Sequence, residues 1–203
     1  MKGLTSAIVA FGLLLTSGAA TAAPQARARG RATTGRQVAT APAKPSPGSG
    51  PLIDIETTKG TIEMETYPNE APKSVAHIVD LVRHNFYNGQ RVHRVVPGQL
   101  VQFGDPLTKD LSKADYWGTG GSDKPIGVNE TNPKRKHLVG TVALANEGGD
   151  PRSSDSQMYI MMIPQPKYDG HYIVIGRVLS GMDVVKKLVK GDIIRRVSVK
   201  EQK

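Results

Sequence analysis

The chain has 203 residues, a formal net charge of +9, 38% hydrophobic and 5% aromatic residues, 22 glycines and no cysteine. The length suits one packed domain with extensions, and the lack of cysteine excludes disulfides, thiolate metal sites and a cysteine nucleophile. The charge is uneven: no Asp or Glu precedes Leu52, so Lys2, Arg27, Arg29, Arg31, Arg36 and Lys44 carry six of the nine net charges, and the remainder is mildly basic.

Residues 1–22 join one lysine, an apolar stretch from Ala7 to Leu15 and small residues ending in Ala20, Thr21 and Ala22. That layout predicts a cleaved secretory signal and an exported protein, periplasmic or secreted. The apolar core is short for a membrane span of about 20 residues. Residues 23–51 are basic and rich in Pro and Ala, without apolar periodicity, and predict a disordered linker. Such a tail suits weak contact with an anionic polymer. Its plainer reading is a soluble spacer, with no specific nucleic acid as partner.

From Leu52 onward the pattern becomes regular, and 52–203 is expected to be one domain. "LIDIET" and "TIEMETY" alternate on either side of Lys59-Gly60 and predict a hairpin. Val75, Ile78, Val79, Val82 and Phe86 recur at helical spacing after Pro72. Further strands are predicted at 91–96, 100–104, 138–145, 157–163 and 172–178. A short helix follows in "GMDVVKKLVKG", and the strand "DIIRRVSVK" comes last. Two isolated helices among many strands, without βαβ alternation, point to a mainly β antiparallel barrel or sandwich. A long glycine-rich loop, 116–137, separates two of the strands; such loops are usually functional.

Several chemistries find no support. The five histidines show no metal-ligand spacing, "GTGGS" precedes no helix, and no serine sits in a G-x-S-x-G turn. What stands out is a set of polar residues on otherwise apolar segments: Arg94, Gln102, Asn146 and Gln157. Alternation puts Arg94 on the face of Val92 and Val96, and Gln102 beside Leu100. Such groups bind a peptide and aim dipoles more readily than they move protons.

Three blocks, in order, resemble the cyclophilin family. "HRVVPGQLVQFGD" is similar to F-H-R-I-I-P-G-F-M-x-Q-G-G-D, "VALANEGGDPRSSDSQMYIMM" to M-A-N-x-x-x-x-S-x-x-S-Q-F-F-I, and "YDGHYIVIGRVLSGMDVV" to L-D-G-x-x-x-V-F-G-x-V-x-x-G-M-x-V. The resemblance implies a closed eight-stranded antiparallel barrel capped by two helices, and peptidyl-prolyl cis/trans isomerase activity on proline-containing polypeptides. It implies no cofactor, no metal and a monomer. By the same correspondence Arg94 is the catalytic arginine and Gln102 its orienting partner. Leu100, Tyr159 and Tyr168 would form the proline pocket, with Gln99, Asn146, Gln157 and Tyr172 around it. The chain departs from the pattern at Gln99, where an aromatic is usual, and at Glu147. It departs again at Lys167, where many members carry a tryptophan that donates to the inhibitor cyclosporin. These departures leave room for an alternative, a proline-peptide binding or chaperone module with little turnover.

Overall fold

The computed structural model describes residues 50–200; the expected signal and almost all of the expected linker lie outside them. β1 (Leu52–Thr57) and β2 (Gly60–Thr66) form the predicted hairpin, in a register that sets Ile53 against Met64 and Ile55 against Ile62. α1 (Pro72–Arg83) starts with Pro in its first turn, where the missing N–H costs nothing. Its remaining N-terminal donors find a distant partner. The Glu130 carboxylate accepts from the Lys73 and Ser74 amides at 3.0 and 2.9 Å and from the Ser74 hydroxyl at 2.7 Å. The helix stops at Arg83, before the Phe86 that the spacing included, because Asn85 turns left-handed with φ 57°.

β3 (Arg94–Val96) and β4 (Leu100–Phe103) pair across a Pro97-Gly98 turn, where Gly98 takes φ 71°, a value costly for other residues. β5 (Thr141–Leu144), β6 (Met158–Met161), β7 (Val174–Ser180), the single-turn α2 (Met182–Val185) and β8 (Ile194–Lys200) complete the domain. β5 begins at Thr141 and not at Leu138, since Leu138 and Val139 are exposed and Gly140 is left-handed.

All eight strands join one antiparallel sheet, ordered β3-β4-β6-β5-β7-β2-β1-β8. The expectation of a fully closed barrel was too strong. Among the described residues β3 and β8 share no ladder; a single bridge, Arg91 to Ile193, spans the gap. The reason lies just before β3. Val92 bonds through its backbone to Asp192 and Gly191 at 2.9 and 2.8 Å, so the chain joins the sheet only at Arg94. That also corrects the expected common face of Val92, Arg94 and Val96. Val92 lies in the main core, whereas Val96 packs on a second cluster behind the groove described below.

The central strands bury both faces. Val101, Phe103, Val142, Leu144, Met158 and Ile160 point into a core shared with Val75, Ile78, Val79 and Val82 of α1 and Val184 and Val185 of α2. Their alternate neighbours Leu100, Ala143, Tyr159 and Met161 make the second cluster. A strand period of two thus gives these strands one structural face and one face available for a site.

Candidate functional site

Register assembles the site on that second face. Arg94 of β3 lies opposite Gln102 of β4, and Gln102 lies opposite Tyr159 of β6. Leu100, two residues before Gln102, shares its face and is buried. Together with Ala145, Asn146, Tyr168 and Tyr172, these residues line a pocket of about 130 Å³. The three tyrosine rings meet edge to face, with centroids 5.0 to 6.1 Å apart. The pocket therefore has an apolar floor at Leu100, aromatic walls, and one cation at its rim.

That cation is braced by a line of amides. Arg94 Nη1 donates to Gln102 Oε1 at 3.1 Å, and Gln102 Nε2 donates to Gln157 Oε1 at 2.9 Å. Gln157 Nε2 then donates to the Gly118 and Gly120 carbonyls, both at 2.8 Å. The direction is forced. With both Gln157 protons engaged by carbonyls, its oxygen must face Gln102, and the Gln102 oxygen must then face Arg94. Arg94 is exposed, and among the described residues no carboxylate pairs with it. Its charge and remaining N–H donors are available to a ligand.

The glycine-rich loop is where this line is anchored. Asp105 Oδ2 accepts from the Gly118 amide at 2.5 Å, and Oδ1 from Leu107 at 2.7 Å. Gly120 approaches Asp105 so closely that a Cβ would lie 2.4 Å from its Oδ1, and any side chain there would displace the carboxylate that holds Gly118. Beside the pocket lies a larger groove of about 300 Å³, sharing Gln102, Ala145 and Asn146 with it and bordered by Glu147, Asp155 and the 118–121 loop.

The structure brings Arg94, Leu100, Gln102, Asn146, Tyr159, Tyr168 and Tyr172 together as expected. Gln157 reaches the pocket only through Gln102. Gln99 is not in the wall: it sits half-buried on the β3–β4 turn, its carbonyl accepting from Met162 at 2.7 Å. Asn146 Nδ2 donates to the His171 carbonyl at 3.2 Å. Lys167 lies outside the lining, its ammonium 5.9 Å from the Tyr168 ring centroid. Two buried histidines, neither at metal-ligand spacing in the sequence, also border the site. His93 is buried beside Arg94, and His137 is buried beneath the tyrosines. Among the described residues no cluster of His, Asp and Glu suits a metal ion.

The family model described as cyclophilin type peptidyl-prolyl cis-trans isomerase/CLD matches residues 52–202. A Brucella abortus protein described as a probable peptidyl-prolyl cis-trans isomerase is 41% identical over 151 residues, 73% of this chain and 76% of its own length. A peptidyl-prolyl cis-trans isomerase of Helicobacter pylori is 34% identical over 145 residues, covering 70% and 83%. Among solved structures, a cyclophilin-type isomerase of Cryptosporidium parvum superposes with a TM-score of 0.65 at 22% identity, covering 75% of this chain and 99% of that one. A cyclophilin of Hirschia baltica gives 0.60 at 25% identity, covering 73% of each.

Proposed function

The chain belongs to the cyclophilin-type peptidyl-prolyl cis-trans isomerases, and from that premise we propose that it isomerises X-Pro bonds of exported polypeptides by stabilising the twisted amide with Arg94. Amide resonance sets a barrier of about 18–20 kcal/mol to rotation. As the bond twists, the prolyl nitrogen pyramidalises and becomes able to accept a hydrogen bond. A guanidinium at the pocket rim, always charged and donating in a fixed fork, meets that lone pair. The interaction grows as the bond twists, so it lowers the barrier and does not merely tighten binding.

The other residues take supporting roles in this reading. Leu100, Tyr159, Tyr168 and Tyr172 receive the prolyl ring. Asn146, its amide nitrogen engaged by His171, offers its oxygen to a substrate N–H. Gln102 and Gln157 hold Arg94 in place. The reaction proceeds without a covalent intermediate.

The observation that carries the proposal is the one-directional amide line ending on an unpaired arginine at the edge of an aromatic pocket. Arg94→Ala should lower kcat/KM on an Ala-Pro peptide by about 10²–10³, the size seen for a lost transition-state donor. Arg94→Lys should also be poor, because the planar fork is gone. Near wild-type turnover in a folded Arg94→Ala protein would overturn the mechanism. Slow turnover with tight peptide binding in the wild type would favour a binding module.

Export rests on residues 1–22, whose pattern fits a cleaved signal. Mass spectrometry of the protein recovered from fractionated cells should find the chain outside the cytoplasm, beginning at Ala23. An intact Met1 on a cytoplasmic product would refute it.

A further inference from the structure

His137 closes the base of the tyrosine pocket, and its side chain is completely buried. Each of its polar groups has a partner. Its amide donates to Asp169 Oδ1 at 2.8 Å, and its carbonyl accepts from Gln165 at 2.8 Å. Its ring reaches Asp169 Oδ1 through Nδ1 at 3.2 Å and the Tyr159 hydroxyl through Nε2 at 3.1 Å.

The chemistry of the partners orders the protons. Burial pushes the Asp169 carboxyl up, but hydrogen bonds from His137 and Lys136 hold it below its usual value, so it is an ionised acceptor. Nδ1 must therefore carry the ring proton. Burial lowers the His137 pKa and Asp169 only partly offsets it, so the ring is neutral at pH 7 and Nε2 is a bare acceptor. The Tyr159 hydroxyl donates to it. A phenylalanine would fill the same space; the hydroxyl adds a tether.

The tether reaches every aromatic wall. The His137 ring centroid lies 6.1, 5.8 and 6.2 Å from those of Tyr159, Tyr168 and Tyr172. Asp169 belongs to the same turn that supplies Tyr168 and Tyr172. One hydrogen-bonded line thus joins β6, that turn and the segment before β5.

We propose that His137 and Asp169 are positioning residues: the line Tyr159–His137–Asp169 sets the spacing of the three tyrosine rings and with it the affinity of the pocket for a prolyl ring. This rests on the reading that the pocket takes that ring. It acts on binding, which the substrate and the twisted state share, and leaves the Arg94 step alone. It also makes binding sensitive to acid. The groups facing the ring are Asp169, with Lys136 paired to it at 3.2 Å, and the hydroxyl-bearing Tyr159, Tyr168 and Tyr172. Once His137 is protonated, both ring nitrogens donate, and the Tyr159 hydroxyl must reverse.

The test is the separation of KM from kcat on an Ala-Pro tetrapeptide. Tyr159→Phe and His137→Leu should raise KM about three- to tenfold, the effect of one buried hydrogen bond, with kcat nearly unchanged. His137→Gln keeps an acceptor towards Tyr159 and should restore most of the affinity. Wild-type KM should rise as pH falls below neutrality, and Tyr159→Phe should abolish that rise. Nitrogen NMR of the wild type should find His137 in the Nδ1–H tautomer. Unchanged KM in folded variants, a loss confined to kcat, or the opposite tautomer would each overturn the proposal. If the variants do not fold, the wild-type tautomer and KM profile still decide it. A wild type that binds the peptide but does not turn it over would instead defeat the catalytic reading, and the same variants would then be read by peptide Kd.

Discussion

Gln157 spends both of its amide protons on backbone carbonyls, and that leaves no freedom further along the line. Replacing it with leucine would strand the Gly118 and Gly120 carbonyls and free Gln102 to rotate away from Arg94. Gln157→Leu should lower kcat about tenfold, since a broken polar network loses more than one pairwise bond. Single-turnover kinetics with circular dichroism as a fold check would measure it, and an unchanged kcat would show that Arg94 needs no brace. His93, next to Arg94 in the chain, acts through its charge state. Burial lowers its pKa to about 4, the nearby Asp105 charge only partly offsetting it. Neither ring nitrogen has a hydrogen-bond partner among the described residues. The unfolded chain, with a histidine pKa of about 6.5, binds more protons than the folded one between those values, so stability falls as pH drops through that window. The loss should be on the order of 2–3 kcal/mol by the lower end. Urea unfolding at pH 7 and pH 4.5 should show it, and His93→Gln should flatten that part of the profile.

At the scale of elements, the telling contact is between α1 and the long loop. The helix has no side-chain cap of its own and no acid in its first turn. Glu130, 56 residues beyond Ser74, accepts from its first free donors and places a negative charge at the positive end of the helix dipole. Glu130→Ala should cost about 0.5–2 kcal/mol, the range of a lost N-cap. Because the same loop carries Gly118 and Gly120, a fall in kcat should accompany the fall in urea midpoint; a fall in stability alone would show that the two ends of the loop are independent. The turn at Pro166–Tyr168 carries a second prediction. By its resemblance to the family pattern Lys167 takes the place of a tryptophan, and its flexible, strongly hydrated ammonium is a poor substitute for an indole donor. Cyclosporin should bind weakly, by about tenfold or more for that contact. Nanomolar affinity in a titration would contradict this.

For the whole molecule, the start of the domain has a physical mark. The Gly50 amide donates to the Thr66 carbonyl at 3.0 Å, and the Pro51 carbonyl accepts from the Thr66 hydroxyl at 2.8 Å. A polypeptide beginning at Gly50 should therefore fold and keep full kcat/KM, while one beginning at Asp54 should lose stability. An inactive or unfolded product from the first would move the boundary upstream. Much of this fold could be read from the chain itself. Strand and helix periods are local, so the hairpin, α1 and the alternating faces of β4 and β6 follow from spacing alone. The pairing of Arg94 with Gln102 does not: a two-residue turn at Pro97-Gly98 would set Arg94 against Val101, and it is Gln99, left outside the ladder as a third loop residue, that shifts the register to Gln102. Closure of the sheet, the capping of α1 by Glu130, the exclusion of Gln99 from the pocket and the placing of His137 under three tyrosines did not follow. Each depends on segments far apart in the chain meeting across the fold. A residue's neighbours along the chain report its secondary structure, but the partners that set its charge, its tautomer and its access to solvent are chosen only when the sheet curls and the loops close over it.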